Sequence, residues 1–207
     1  MLISLSYLVK KYNLSIRNIL HVGAHACQEL EDYMKHGAER IHWIEADRKM
    51  YWKQKWRLNK KVNQITCAVV SDNDGYEVNF NINSSSQASS ILKLKEHLNA
   101  HPDIKKIKSQ KRTTITIDTL MEKSNLAGID IDFLNLDIQG AELLALKGAK
   151  NTLPRVKTIF TEINEAELYE NCARLNEMDS FLESSGFQRV EKKMFKEAGW
   201  GDAFYIR

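Results

Sequence analysis

The sequence predicts an α/β fold: an open, mostly parallel sheet with helices on both faces and a C-terminal antiparallel hairpin. Three observations lead there. Compact apolar runs of strand length alternate with helical patterns along most of the chain, the rhythm of repeated βα units. The 207 residues are 43% hydrophobic and 28% charged, which is enough for a real core and too apolar for disorder. The last two strand-like runs follow one another with no helix between them, where an ordinary dinucleotide-binding half would keep repeating βα.

The elements can be taken in order. Ser4 caps a short helix over Leu5–Tyr12. Asn18–Val22 is a first strand ending at Gly23, and a helical pattern through Leu30, Tyr33 and Met34 closes on Gly37, a natural helix-ending glycine. Residues 40–44 make a second strand, and 47–58 a charged helix. Residues 65–70 read as a third strand, 71–75 as a turn, and 76–82 alternate with the period of a strand. In the second half, 132–136 is a strand and 141–153 a helix stopped by Pro154. Residues 156–163 form the next strand, and 175–185 a helix ending at Gly186. Residues 187–192 and 202–206 form the hairpin, joined through Gly199-Trp200-Gly201. The expected organisation is one domain over 1–207, with 1–16 as an N-terminal helix and 17–207 as the core.

Composition narrows the function. Lys and Arg number 30 against 27 Asp and Glu, a net charge of +3, too small a surplus to call for nucleic acid. No stretch reaches the ~20 apolar residues of a membrane span, and the first residues lack the basic region and cleavage site of a signal peptide. Cys27, Cys67 and Cys172 are three, widely spaced, with no C-x-x-C pair. They read as free thiols in a reducing, cytoplasmic setting.

Open α/β sheets bind ligands beyond the carboxyl ends of their strands. There the sequence collects polar residues five times: Gly23-Ala24-His25; Glu45 and Asp47; Ser71 and Asp72; Asp137-Ile138-Gln139-Gly140-Ala141-Glu142; and Glu162-Ile163-Asn164-Glu165. Glu45 lies 22 residues after Gly23, the spacing at which a carboxylate accepts both ribose hydroxyls. The phosphate-cradling G-x-G-x-x-G is absent, and Cys27 crowds the loop. A nucleoside without phosphate, such as S-adenosylmethionine, suits it better than NAD.

Several of these segments together resemble FkbM-type methyltransferases. They are His21-Val22-Gly23-Ala24-His25, Trp43-Ile44-Glu45-Ala46-Asp47, Thr116-Ile117-Asp118-Thr119-Leu120, Leu136 to Glu142 with Leu146-Lys147-Gly148-Ala149, and Glu162-Ile163-Asn164-Glu165. The turn 71–75 and Gln87-Ala88-Ser89-Ser90 also fit. The most specific piece is D-x-x-G-A-E-x-x-x-L-K-G-A. The resemblance implies a Rossmann-like, seven-stranded class I methyltransferase fold. It also implies S-adenosylmethionine-dependent O-methyltransfer onto a sugar or other small-molecule hydroxyl. By position, Gly23, Ala24 and His25 would approach the methionine moiety, Glu45 would hold the ribose, and Ser71 and Asp72 would lie near adenine. His21, Ala46 and Asp137 join this cofactor set. Positions 25 and 27 depart from the family's usual G-A-N-x-G loop, with His25 for Asn and Cys27 for Gly.

Transfer to a hydroxyl needs alignment with the methyl group and removal of a proton. Asp137 and Glu162, on strand tips expected to be adjacent, are the catalytic candidates, with His25 as a further base. As hard oxygen donors, Asp137 and Glu162 also suit Mg²⁺ or Mn²⁺. Ser89, Ser90 and Asn164 are the acceptor-binding candidates.

A small-molecule or glycan acceptor is expected, with glycosyltransferases as associated enzymes or the chain as part of a larger polypeptide. The alternatives are an RNA ribose methyltransferase, which would need lysines beside the acids, and a binding module without turnover. Two basic stretches, 48–57 and 105–112, read either as an RNA groove or as a solvated helix with inward Trp rings and a mobile basic loop. The modest net charge favours the second reading.

Overall fold

The computed structural model describes residues 1–84, 88–95, 103 and 105–207. Helix α1 (Leu5–Tyr12) starts after Ser4, whose side chain makes no capping hydrogen bond, and is held instead by burial of Leu5 and Leu8. Then follow β1 (Asn18–Val22), α2 (Leu30–Lys35), β2 (Arg40–Glu45), α3 (Arg48–Arg57) and β3 (Asn63–Cys67). The middle of the chain contributes β4 (Val69–Val70), β5 (Glu77–Asn83), β6 (Lys106–Ile115) and α4 (Ile117–Met121). The last part holds β7 (Ile131–Leu136), α5 (Glu142–Lys147), β8 (Val156–Asn164), α6 (Leu175–Ser184), β9 (Gln188–Phe195) and β10 (Trp200–Ile206).

Seven strands form the main sheet in the order β3-β2-β1-β7-β8-β10-β9. It is parallel throughout except for β10, which runs antiparallel to both β8 and β9. The switch point lies between β1 and β7, where a ligand crevice belongs. Strand β7 is buried at all six positions, the pattern of a central strand covered on both faces. Its alternation divides the core: Leu134 and Leu136 join Leu20 and Val22 on one face. Phe133 joins Ile19, Trp43 and Phe160 on the other.

The structure departs from the sequence reading in four places. The stretch 65–70 is not one strand: β3 stays in the main sheet, whereas β4 leaves it to pair with β6 in a three-stranded sheet ordered β4-β6-β5. The basic stretch 105–112 is no mobile loop, because most of it is β6, registered antiparallel along β5. Its period is hidden because Lys106, Ile107 and Lys108 are all exposed, and only Arg112 and Thr114 turn inward. The helix expected over 141–153 stops at Lys147, where Gly148 leaves the helical conformation (ψ 10°) and lies against the Ser71 carbonyl with no room for a side chain. The Trp rings of α3 do not pack inward; Trp52 and Trp56 are exposed, and Gln54 is the buried residue of that helix. Gln87 lies outside the described residues. Among those described, no helix is long and apolar enough to cross a membrane.

Gly23 marks the tightest backbone approach. Its φ is +98°, and a Cβ there would overlap the Asp137 carbonyl oxygen. At Gly128, φ is +71° but nothing lies within 4 Å. Gly128→Ala is therefore expected to cost only the ~1–2 kcal/mol of left-handed strain. Gly23→Ala should cost more than about 3 kcal/mol, since a central strand must also shift. Urea denaturation of the two variants checks the difference.

Candidate active site

A cavity of about 480 Å³ opens at the carboxyl ends of β1, β2, β7 and β8, with β10 closing one side. Its first wall is the loop after β1. The Gly23 and Ala24 N–H groups both donate to the Ile44 carbonyl, at 2.9 and 3.0 Å, which binds this loop to β2. Within the loop, His25 and Cys27 take φ values of 41° and 51°. These are the two positions where the resembling family uses Asn and Gly, residues that tolerate such a backbone. This chain keeps the left-handed path with costlier side chains.

Glu45 ends β2 and is 7% exposed. One carboxylate oxygen accepts from the His25 N–H and the other from the Asp47 N–H, both at 2.6 Å. Burial pushes this carboxyl up to about 7, against the opposing pull of those N–H groups. The carboxyl also lines the cavity.

The opposite wall holds the acids. Gln139 (φ 58°) donates from its side-chain amide to Asp137 Oδ1 at 2.8 Å and to Glu162 Oε2 at 3.0 Å. The buried Tyr169 hydroxyl donates to Gln139 Oε1 at 2.6 Å, which fixes the amide's orientation. Glu142 Oε1 accepts from the Ile138 and Gly140 N–H groups at 2.8 and 3.2 Å, bracing the loop from inside. Asp202 stands opposite Glu162 in the β8–β10 register and accepts from Ile3 N–H at 3.0 Å. Burial, then the nearby charges of Asp137, Glu142 and Asp202, hold the Glu162 carboxyl well above the usual carboxylate range. Burial likewise raises Glu142, to about 7, and Asp202. Asp137 alone of these acids is exposed.

The expected residues divide accordingly. Gly23, His25, Glu45, Ala46, Asp137, Glu162, Ser89 and Ser90 all line the cavity. Gly23 serves the β1–β7 approach, because what it faces is protein backbone. Ser90 is occupied internally: its hydroxyl donates to the Gln139 carbonyl at 2.8 Å and accepts from Leu92 N–H. Ser89 accepts from Asn83 N–H at 3.2 Å and keeps its proton to give. His21, Ala24, Ser71, Asp72 and Asn164 are not brought to the cavity wall. His21 is a core residue, bonded to the Tyr33 hydroxyl at 3.0 Å and packed on Trp43. Ser71 donates its N–H to Ile115, and the wall near it is Ala68, Val69 and Val70. Asn164 is buried at the end of β8, opposite Trp200.

The metal expectation gains no support from the side-chain geometry. The position between Asp137 and Glu162 is filled by the Gln139 amide, which already supplies the positive dipole a cation would bring. Among the described residues no group of three or more His, Cys, Asp or Glu side chains is arranged to hold a metal.

Sequence reasoning missed Gln139, Tyr169, Asn135, Trp200 and Asp202. Gln139 sat inside the strongest motif, whereas the others carry no local signal. Asn135 gives its amide hydrogens to the Tyr33 hydroxyl at 2.9 Å, and its buried Oδ1 has no partner among the described residues. A buried acceptor left open on a cavity wall is a place for a ligand donor.

The methyltransferase FkbM domain model matches residues 21–189. No curated protein sequence matches the chain. Among solved structures, a methyltransferase FkbM from Methylobacillus flagellatus KT is similar with a TM-score of 0.58 and 16% identity, over 93% of this chain and 44% of that one. The chain thus spans less than half of that protein. The magnesium protoporphyrin IX methyltransferase of Synechocystis PCC 6803, solved with bound SAM, has a TM-score of 0.53 and 9% identity, over 98% and 75%. An S-adenosylmethionine-dependent methyltransferase from Mesorhizobium loti has a TM-score of 0.52 and 8% identity, over 97% and 96%. At such identities these likenesses establish the class I, Rossmann-like fold.

The raised Glu162 carboxyl has a consequence for stability. A folded-state pKa above the unfolded one means the native state binds the extra proton, so stability falls as pH rises from the unfolded value through the folded one. Glu162→Gln keeps the shape and removes the charge. It should match the parent near pH 4 and exceed it near pH 8 by about 0.5–2 kcal/mol, the usual gain on relieving a strained site. Urea unfolding at both pH values tests the sign.

Proposed function

Because the chain belongs to the methyltransferase FkbM domain family, we propose that it is an S-adenosylmethionine-dependent O-methyltransferase whose acceptor is an uncharged sugar hydroxyl, as on a glycan. One observation carries this reading. Six acidic side chains line the cavity, Glu29, Glu45, Asp47, Asp137, Glu162 and Asp202, and among the described residues no Lys or Arg does. Such a cavity favours a cationic cofactor and a neutral acceptor, and repels phosphate. This weighs against a ribose of RNA and against a nucleotide-linked sugar.

The residues suit that cofactor. Its ribose hydroxyls match the Glu45 carboxyl on the cavity wall, and its ammonium the open Asn135 Oδ1. The cavity's size lies within the usual range for small-molecule sites. When bound, S-adenosylmethionine supplies an electrophilic methyl group and a neutral thioether leaving group. The chain must then place a hydroxyl in line and take its proton. Asp137 is the base in this reading: it is exposed to the cavity and oriented by Gln139. Burial and the neighbouring acidic charges raise the Glu162 carboxyl well above its ordinary value, which disfavours its charged form. Trp200 and Asp202 project from one face of β10 into the same end. An aromatic ring beside acids and the Ser89 hydroxyl offers a sugar both a stacking surface and hydrogen-bond partners. Free Cys27, Cys67 and Cys172 fit a reducing, cytoplasmic setting.

Labelled S-adenosylmethionine assayed with neutral glycosides, sugar phosphates and RNA tests the reading; preference for the phosphorylated acceptors would overturn it. Asp137→Asn should lower kcat at least ~100-fold, the low end for loss of a general base, with little change in cofactor Kd. Glu45→Gln should separate by pH. Wild-type Glu45 ionises above about 7, so cofactor affinity should rise from pH 6 to 8. In the variant calorimetry should show that rise gone, with binding about tenfold weaker at pH 8.

A further inference from the structure

The strongest charge run in the chain lies outside the cavity. Residues 48–61 contain seven Lys or Arg and no Asp or Glu. On α3, Arg48, Lys49, Trp52, Lys53 and Trp56 are all exposed. Trp52 and Trp56, four residues apart and so on one side of the helix, are 50% and 79% exposed. This is unlike an ordinary surface helix, which turns its large apolar rings toward the core. Here the inward position is taken by Gln54, whose Oε1 accepts from Arg57 Nε at 2.7 Å. The Lys55 ammonium lies 4.7 Å from the centre of the Trp52 ring and 5.3 Å from that of Tyr51. The helix is joined to the site, since Met50 lines the cavity.

We propose that this side of α3 docks on an anionic lipid bilayer surface. Indole rings are amphipathic and settle at the headgroup level, while the surrounding cations meet lipid phosphates. The charge complementarity is one-sided, because no acid along 48–61 would be repelled. Shape separates a bilayer from a nucleic-acid strand. A strand is held in a positive groove with bases stacked on open ring faces. The helix side is convex, the cavity takes no wall from Trp52 or Trp56, and Lys55 already covers one face of Trp52. One short helix with two rings and a few cations gives reversible, salt-sensitive adhesion rather than anchoring.

Vesicle co-sedimentation of the 207-residue chain tests the docking. Vesicles of phosphatidylcholine mixed with phosphatidylglycerol should bind at least about tenfold more protein than phosphatidylcholine alone, with the excess lost at high salt. Trp emission should shift to the blue on binding, and brominated acyl chains should quench it. Trp52→Ser with Trp56→Ser, and separately Lys49→Glu with Lys53→Glu, should each lower binding at least about fivefold. Unchanged melting temperature and cofactor binding would show that the fold is intact, since these side chains are exposed. No binding to the mixed vesicles, or binding that survives both double variants, would overturn the proposal. So would a variant-sensitive affinity for single-stranded oligouridylate in the absence of vesicle binding, which would assign the surface to nucleic acid.

Discussion

The Gln139 side-chain amide donates to carboxylates on two neighbouring strands, and most of the site's geometry depends on that contact. Asp137 and Glu162 leave the sheet side by side, where two anions in a dry environment would repel. The amide supplies two N–H dipoles between them, Tyr169 holds it from behind, and Glu142 ties down the loop that carries it. The loop can turn this sharply because Gln139 and Gly140 both adopt positive φ, and Gly140 has Tyr169 and Cys172 where a side chain would go. Cost and geometry meet in the same few residues: a Glu162 carboxyl whose charged form burial disfavours and a left-handed Gln139 both lie beside Asp137.

A second constraint works on the other side of the switch point. Glu45 closes the β1 loop by accepting two backbone N–H groups, so the residue we propose for the ribose is also the one that shapes the loop around it. His25 and Cys27 hold left-handed conformations there without the glycine or asparagine that would ease them. The loop's shape is kept by hydrogen bonds to β2 rather than by local preference.

Charge is sorted between inside and outside. The net value of +3 hides a cavity walled by acids and a helix, α3, whose exposed side is cationic. We propose a cationic cofactor and a neutral acceptor for the first surface and an anionic bilayer for the second. Neither follows from the net charge, because the two populations nearly cancel in the sum.

The alternation of apolar runs and helical patterns determined the α/β class, and the lack of a helix between the last two runs determined the antiparallel end. Both are local facts, since strand and helix periods are written in neighbouring residues. The strand-tip positions of Asp137, Glu162 and Glu45 were legible for the same reason. Only the tertiary structure decided what each of them touches. Tyr169 reaches Gln139 from 30 residues away, and Asp202 faces Glu162 across an antiparallel register that no local pattern sets. Strand β6 was invisible because its pairing with β5 holds it while its side chains stay polar and exposed. Trp52 and Trp56 looked like core residues by type, yet the side of α3 that packs inward is set by the sheet beneath it. Hydrophobic period reports which residues can be buried; which of them are buried depends on the surface the chain brings against them.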